Sequence, residues 1–319
     1  MTRKGASLPV VSYDDFKQHA TMLRDTARTL AFQRGIEDVV KPGMVVLDFG
    51  CGTGILSFFA ERAGADRIYA VDRASILRSA EALAKKNGFR RITFLRTDGD
   101  TFKLPEKVDV IVSEWMGFFV LYENMLPTLL RVRDQNLRRE GVMIPSAVRW
   151  KGAFVVDRAF YDELAFFDTQ SYGIDFSLVR DWAFSQVGHR TMSPFQLGRA
   201  FDLQSLDMKT VTTAPELVQG RARFEEDLTA YAFCGWFEAD LSPATKLDTG
   251  PDAPATHWRQ LVFPWPRPFP IRAGEDVTVQ VRSVRFEGRA PHWHWSVAAG
   301  GERLDWDDFS YRAHFLPRS

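Results

Sequence analysis

The stretch VVLDFGCGTGIL, residues 45–56, decides the fold. A short apolar run ends at Asp48, and three glycines follow at alternate positions before the next apolar residues. The run is typical of a buried strand, and residues 54–63 have the pattern of a helix. Glycines at such a turn let a ligand approach the backbone, where the first N–H groups of a helix are unpaired. The stretch therefore predicts a strand, a ligand-binding turn and a helix.

The same alternation of strands and helices continues on both sides of the glycines. Ahead of them, apolar residues at helical spacing predict helical structure over about 14–40. Val- and Ile-rich strands that alternate with helices predict an α/β fold, with a doubly wound, Rossmann-like parallel sheet. After the glycine turn the predicted elements are a strand at 68–72, a helix at 74–87, strands at 92–96 and 108–113, and a helix at about 122–137.

Two classes of ligand suit this glycine turn. Dinucleotide sites use G-x-G-x-x-G, whereas this chain has G-x-G-x-G with Asp48 two residues before the first glycine. A carboxylate there would repel a pyrophosphate and suits an ammonium and a sulfonium, which favours S-adenosyl-L-methionine over NAD. Asp72, at the end of the next strand, can accept both ribose hydroxyls in either class. Asp100 either reaches an adenine amine or is an ordinary turn residue. For the glycine turn itself, the third interpretation is a plain connection between strand and helix that binds no ligand.

The pattern changes near Pro145. Beyond it, aromatic strand-like segments such as LTAYAFCGWFEADL and VTVQVRSVRF are separated by Pro- and Gly-rich turns, which predicts an antiparallel sandwich or β-barrel. Residues 159–185 have a helical pattern and are predicted to form an arm. The predicted units are N-terminal helices at 1–40 that cover the ligand site as a lid, a sheet domain at 41–145, and a second domain, the barrel with its arm, at 146–319.

The composition is that of a soluble globular protein. Lys and Arg total 41 and Asp and Glu total 41, so the formal net charge is zero and binding to nucleic acid is not expected. Cys51 and Cys234 have no metal-ligand spacing and provide no disulfide framework. Because the sequence also shows no signal-like or membrane-spanning apolar run, we expect a cytoplasmic protein with no metal and no membrane partner.

A second stretch, SEWMGFFVLYENML at residues 113–126, places Glu114 and Glu123 among large apolar residues. An isolated buried carboxylate is unfavourable, so each of the two glutamates should be neutralised or paired with a cation. A guanidinium suits such a pair, since it is planar, stays protonated and carries N–H donors in a rigid fork.

Residues 113–126 resemble the double-Glu loop of the protein arginine methyltransferases, S-E-W-M-G-x(4)-Y-E-x-M-L. HATMLRDTARTLAF, residues 19–32, resembles the family's H-x-x-M-L-x-D-x-x-R-T helix, and residues 256–258 resemble its THW loop. YGIDFS, residues 172–177, resembles a segment in or beside its dimerisation arm. The resemblance covers nearly the whole chain. It implies a class I methyltransferase domain followed by a β-barrel with a helical arm that forms homodimers.

The resemblance also implies roles for individual residues. Glu114 and Glu123 would grip the guanidinium of an arginine in a protein or peptide substrate, and His257, paired with Asp25, would orient the substrate or relay its proton. Substrate contacts are expected from Met125, Trp258 and Tyr122. Together, the glycine turn and the resemblance assign to S-adenosyl-L-methionine Tyr13, His19, Met22, Arg28, Asp48, Gly50, Gly52, Thr53, Asp72, Gly99, Asp100 and Glu114.

Two departures from the family pattern stand out. Pro9-Val10 occupies the place of the first tyrosine in the family's Y-F-x-x-Y lid, and Phe118 replaces a common tyrosine. The predicted activity is methylation of protein arginine to monomethyl- and asymmetric dimethylarginine, because the THW loop and Met22 resemble the members that make these products. Three alternatives stay open: methylation of a free guanidino compound or small peptide, a non-catalytic binding module, and a dehydrogenase.

Overall fold

The computed structural model describes residues 15–97, 102–122, 125–284 and 291–308. The first half of the chain alternates helices and strands. In chain order they are α1 (Phe16–Arg24), α2 (Thr26–Val39), β1 (Val45–Phe49), α3 (Ile55–Arg62), β2 (Arg67–Asp72), α4 (Leu77–Asn87), β3 (Ile92–Arg96), β4 (Val108–Val112), α5 (Leu126–Asn136) and β5 (Leu137–Ile144).

The five strands form one parallel sheet in the order β3-β2-β1-β4-β5. The central strand β1 is buried along its whole length, and α3 packs on β1 and β2 while α4 packs on β3 and α5 on β5. Apolar strands are expected where helices cover both faces of a parallel sheet. The predicted doubly wound α/β fold is confirmed.

The helical pattern over 14–40 corresponds to two helices in the structure. The first helix ends at Arg24 and the second begins at Thr26. Asp25 between them leaves the helical conformation, and its side chain accepts the backbone N–H of Arg28. An aspartate that caps a helix N-terminus in this way starts a new helix, although the apolar spacing continues across it.

The helix predicted over 122–137 is shorter than expected. Residues Phe118–Val120 form a short turn in which Phe119 and Val120 have positive φ, and α5 begins only at Leu126, with Pro127 in its first turn. Proline suits that position because the first N–H groups of a helix have no intrahelical acceptor. The remaining helix ends directly before strand β5, the edge strand of the parallel sheet.

The second half of the described chain is mainly antiparallel. Its elements are β6 (Ala147–Val155), α6 (Arg158–Ala165), β7 (Gln170–Ser171), β8 (Ile174–Asp175), α7 (Arg180–Phe184), β9 (Gly188–Arg190), β10 (Phe201–Asp207), β11 (Leu217–Arg223), β12 (Leu228–Asp240), β13 (Lys246–Asp248), β14 (Gln260–Ile271), β15 (Asp276–Val284), β16 (His292–Ala299) and β17 (Glu302–Asp307).

These strands form two larger sheets with a shared aromatic core. One sheet has the order β10-β6-β12-β14-β9, with β13 on β12, and the other has the order β11-β15-β16-β17. Strands β10 and β11 pack side by side, so the two sheets join into a barrel-like domain. Trp150, Trp265 and Trp295 are fully or almost fully buried in it. The predicted antiparallel barrel is confirmed, while the domain limits of 1–40, 41–145 and 146–319 stay a prediction.

The arm is only partly helical, which corrects the prediction for 159–185. Helices α6 and α7 stand at its two ends, and between them β7 and β8 form a hairpin. Tyr172 and Gly173, at the tip of the hairpin, have positive φ values of 59° and 74°. Two consecutive residues with positive φ form a hairpin turn that no helix accommodates.

Candidate functional site

The glycine turn lies at the carboxyl ends of the parallel strands. Gly50 and Gly52 have φ values of +78° and +53°, a region that L side chains rarely adopt. A Cβ on Gly52 would stand 3.2 Å from the His19 ring, and one on Gly50 would stand 3.0 Å from the Met125 methyl carbon. His19 on α1 and Met125 before α5 therefore close around the turn, with Thr53 half-buried within it.

Asp72 supports the turn from the end of β2. Its Oδ2 accepts the N–H of Gly52 at 2.8 Å, and its Oδ1 accepts the N–H of Ala74 at 2.8 Å. The carboxylate is half-buried, and each oxygen has a further acceptor position. Asp72 thus has the placement that binding of ribose hydroxyls requires.

Asp48 differs from its expected position. It lies inside the fully buried strand β1, and its Oδ2 accepts the Ser57 hydroxyl at 2.6 Å. Burial raises the pKa of Asp48 to about 7, although the Ser57 hydrogen bonds oppose the shift. The side chain thus joins β1 to α3 beneath the turn and has no exposed surface from which to contact a ligand.

Asp25 and His257 form a buried pair between the helices and the barrel. His257 Nδ1 lies 2.8 Å from Asp25 Oδ2, which also accepts the His257 backbone N–H at 2.7 Å. Burial by itself raises the pKa of Asp25, but hydrogen bonds from the His257 ring and from the Arg28 and His257 backbones outweigh it and lower the pKa. The carboxylate therefore stays ionised and holds the imidazole through Nδ1.

Arg28, which is buried, and Glu114, which is partly buried, form a second pair beside the first. Arg28 Nη2 donates to Glu114 Oε2 at 2.8 Å and Nε donates to the same oxygen at 3.3 Å, with the two side chains 6% and 10% exposed. The sequence assigned both residues to the cofactor, and Glu114 also to the substrate guanidinium, without predicting that the two would pair with each other. In the structure the cation that accompanies Glu114 is Arg28, because α2 runs past the end of β4.

The other predicted site residues surround these pairs. Trp258 is buried, with its ring 4.4 Å from the His257 ring and 5.9 Å from the Arg28 guanidinium carbon. Tyr122 packs edge-on against Phe118, and the backbone carbonyl of Met22 accepts the Thr29 hydroxyl at 3.3 Å. Four predicted residues lie outside the described residues: Tyr13, Gly99, Asp100 and Glu123.

The comparisons with known proteins agree across the chain. Residues 152–294 match the family model "Arginine methyltransferase oligomerization subdomain", and residues 26–148 match "Ribosomal protein L11 methyltransferase (PrmA)". Protein arginine N-methyltransferase 1 of Schizosaccharomyces pombe is 35% identical over 87% of this chain and 84% of that protein. Protein arginine N-methyltransferase 6 of Danio rerio is 36% identical over 79% of this chain and 77% of that protein. The chain belongs to the protein arginine N-methyltransferase family.

Solved structures of the family share its architecture. A chain of the Trypanosoma brucei PRMT1 enzyme–prozyme heterotetrameric complex with AdoHcy has a TM-score of 0.81 and 31% identity, covering 92% of this chain and 98% of that one. Arabidopsis thaliana protein arginine methyltransferase 10 has a TM-score of 0.76 at 24% identity, covering 93% and 99%, and shows the fold alone.

The glycine turn suits the family's cofactor, S-adenosyl-L-methionine. The glycines leave the backbone of the turn open to a ligand, and a Cβ on Gly52 would contact the His19 ring. Asp72 lies at the end of the neighbouring strand and accepts the Gly52 N–H. Arg28 provides a cation for a carboxylate close to the turn. These features match a ligand that carries a ribose at one end and an amino acid at the other.

His189 is a residue of the site that the sequence did not reveal. It lies on β9, the short edge strand after the arm, with its ring centroid 3.9 Å from that of Phe118 on the double-Glu loop. It also hydrogen-bonds the backbone of Trp258. No motif surrounds it in sequence, and only the pairing of β9 with β14 brings it beside the THW loop.

Proposed function

We propose that this protein transfers methyl groups from S-adenosyl-L-methionine to guanidino nitrogens of arginine residues in proteins, forming monomethyl- and asymmetric dimethylarginine. The observation that carries the proposal is the Arg28–Glu114 pair. In this pair the partly buried Glu114 carboxylate already accepts N–H groups of a guanidinium at 2.8 and 3.3 Å. Family membership supports the general activity, and the products are the finer part of the proposal.

The chain's residues divide the work of the reaction. When bound, S-adenosyl-L-methionine supplies the methyl group from its sulfonium. His19, Gly50, Gly52 and Asp72 form the cradle for its nucleoside part, and Arg28 would bind its carboxylate. This assignment requires Arg28 to divide its five N–H donors between that carboxylate and Glu114.

Glu114 and Glu123 bind and polarise the substrate. A guanidinium spreads its charge over three nitrogens, which makes each one a poor nucleophile. Carboxylates held against it draw the positive charge toward the nitrogens that they contact and leave the reacting nitrogen richer in electrons. Holding that nitrogen in line with the methyl group contributes further, because orientation replaces a bimolecular encounter.

Asp25 and His257 act on the proton side of the reaction. The ionised Asp25 holds Nδ1 of His257, which leaves Nε2 as the nitrogen that faces other groups. A methylated guanidinium must lose one proton, and the imidazole can take it or orient the group that does. The neighbouring Trp258 packs against the ring and keeps it in place.

The arm supports the proposal of a homodimer. Its surface carries large exposed apolar residues, and the family model that matches residues 152–294 is named for oligomerization. The relative from Trypanosoma brucei was solved as a heterotetrameric complex. The exposed apolar residues of the arm are Phe166, Tyr172, Ile174 and Leu178.

The cytoplasmic location is likewise part of the proposal. Cys51 and Cys234 are both buried and unpaired by disulfides, as suits a reducing compartment. Within the described ranges, every helix falls short of the length and apolar character that a membrane span needs.

Mass spectrometry of methylated products tests the function. The protein is incubated with isotope-labelled S-adenosyl-L-methionine and either an Arg/Gly-rich peptide or free arginine. We expect label on peptide arginines as monomethyl and asymmetric dimethyl groups, with Glu114→Gln at least 100-fold slower because it loses the charge that polarises the guanidinium. Glu140→Gln, at an exposed position, is the control. Label on free arginine alone, or on neither substrate, would contradict the proposal.

A further inference from the structure

The segment between the two predicted catalytic glutamates has an unusual backbone. Phe119 and Val120 both have positive φ, at 52° and 61°. Neither is glycine, and valine is branched at Cβ, so this conformation is unfavourable for the isolated segment. Gly117, just before them, has φ +47° and ψ −159°. Contacts from the rest of the protein must therefore hold the turn.

Two buried side chains of the barrel hold it by hydrogen bonds. Trp150 Nε1, from β6, donates to the carbonyl of Phe119 at 2.9 Å, and Ser283 Oγ, from β15, donates to the carbonyl of Leu121 at 3.2 Å. Trp150 is 0% exposed and Ser283 is 1% exposed. The two donors come from different sheets of the barrel, so each sheet contributes one hydrogen bond to the turn.

The barrel also leaves space that matches the turn. A Cβ on Gly235, in β12, would stand 2.4 Å from the Phe119 ring, which packs against Phe263 of β14 at a centroid distance of 5.8 Å. The ring therefore fills a place where the sheet has no side chain. Both the packing and the hydrogen bonds select the left-handed turn.

We propose that Trp150 and Ser283 are positioning residues that hold the left-handed turn at Phe119–Val120 and thereby set the path from Glu114 toward Glu123. Neither residue is assigned to the cofactor or the substrate. The effect on catalysis rests on the proposed function, whereas the effect on the turn does not. The barrel thus determines the backbone conformation of the loop that follows Glu114.

Trp150→Phe tests the first donor, because phenylalanine keeps an aromatic ring and removes the N–H. The matched control is Trp265→Phe. Trp265 is also 0% exposed in the same sheet, but its Nε1 has no hydrogen-bond acceptor among the residues that the structure describes. Both variants lose similar volume from the core, so a difference between them reports the hydrogen bond to the turn.

Ser283→Ala tests the second donor with a smaller change. Its control is Ser296→Ala, since Ser296 is a buried serine on the adjacent strand β16 whose hydroxyl accepts from Arg303 instead of donating to the loop. If Trp150→Phe fails to fold, Ser283→Ala decides the outcome alone.

Hydrogen–deuterium exchange of peptides covering residues 115–122 is the first measurement. We expect exchange about 10-fold faster in Trp150→Phe and Ser283→Ala, because each variant loses one buried hydrogen bond to the turn. Trp265→Phe and Ser296→Ala should exchange at the wild-type rate. Equal exchange in test and control variants, whether both are fast or both are unchanged, overturns the proposal.

Turnover is the second measurement. We expect kcat to fall about 10-fold in Trp150→Phe and Ser283→Ala while the Kd for S-adenosyl-L-methionine stays within about 2-fold of wild type. Purely structural damage would lower the amount of active enzyme and weaken cofactor binding as well. A loosened turn with unchanged kcat overturns the catalytic role. If the wild type methylates no arginine substrate, the proposed function fails, and the exchange data still decide the role in the turn.

Discussion

Two aspartate–histidine pairs in this protein have almost the same geometry and very different surroundings. His257 and Asp25 are 2.8 Å apart with side chains 10% and 2% exposed, and His292 and Asp308 are 3.1 Å apart with side chains 12% and 4% exposed. The first pair joins a helix junction to a loop 232 residues later. The second joins the start of β16 to the end of β17, within one sheet.

The comparison indicates that an aspartate–histidine pair by itself only orients the imidazole ring. Whether the pair can take part in a reaction depends on the groups beside it. Both aspartates also accept a backbone N–H, from Arg28 and His257 in one case and from Trp293 in the other. Only the first pair lies beside the Arg28–Glu114 ion pair. Asp25 links the start of α2, which carries Arg28, to the THW loop. One carboxylate therefore fixes the N-terminal helices relative to the barrel.

The largest expected effect separates the two pairs directly. Asp25→Asn keeps a side chain that can cap α2 and removes the charge that holds the His257 ring. We expect kcat/KM to fall about 100-fold, in the range for loss of an oriented acid–base group. Asp308→Asn should change kcat/KM by no more than about 2-fold. Steady-state methylation assays on the two variants, with circular dichroism to verify folding, make the comparison, and equal losses would remove the distinction.

The contrast between the pairs also shows what the sequence can predict. The glycine turn was predictable because its glycines, strand and helix are adjacent in the chain. The break at Asp25 was not, because the carboxylate that starts α2 is held by His257, far away in sequence. The Arg28–Glu114 pair escaped prediction for the same reason, as the two residues join α2 to the end of β4.

Strand β14 illustrates a different limit. It contains four prolines, which normally argue against a strand because proline has no N–H to donate. The structure accommodates them with a register shift in the pairing with β12, and the Pro264 carbonyl accepts Trp295 Nε1 at 2.8 Å. His189 likewise acquires its place from β9, which pairs with this strand.

A second expected effect contrasts Asp25 with Asp48, two buried acids whose pKa values are shifted in opposite directions, down for Asp25 and up for Asp48. Because burial raises the pKa of Asp48 to about 7, the folded protein binds its proton more tightly than the unfolded chain does. Protonation of Asp48 therefore contributes to the free energy of unfolding at low pH, and this contribution is lost as the pH rises through about 7. Asp48→Asn should therefore stabilise the ligand-free protein by roughly 1–3 kcal/mol at pH 8, with the gain shrinking toward pH 5.

Urea unfolding at pH 5, 6.5 and 8 measures this stabilisation. Asp66→Asn, at an exposed position, is the control and should leave the free energy of unfolding unchanged within about 0.5 kcal/mol. A gain for Asp48→Asn that is the same at all three pH values would show that Asp48 carries no raised pKa.

The smallest expected effect concerns His189, a site histidine that contacts the Trp258 backbone and the Phe118 ring. Burial and the nearby charge of Arg259 lower the pKa of His189, against the hydrogen bond to Trp258, so the ring is neutral at pH 7. Arg190, next to it on β9, is paired with Glu163. Because the pKa is lowered, the ring gains a proton at a lower pH than an ordinary histidine does, and its positive charge then repels an arginine-containing peptide. We expect the KM for the peptide to rise about 2- to 3-fold between pH 7 and 5.5 in the wild type, a size typical of partly screened charges.

His189→Gln should flatten that rise in KM, whereas His294→Gln, on the exposed face of β16, should keep it. Identical pH profiles in all three proteins would place His189 outside substrate binding.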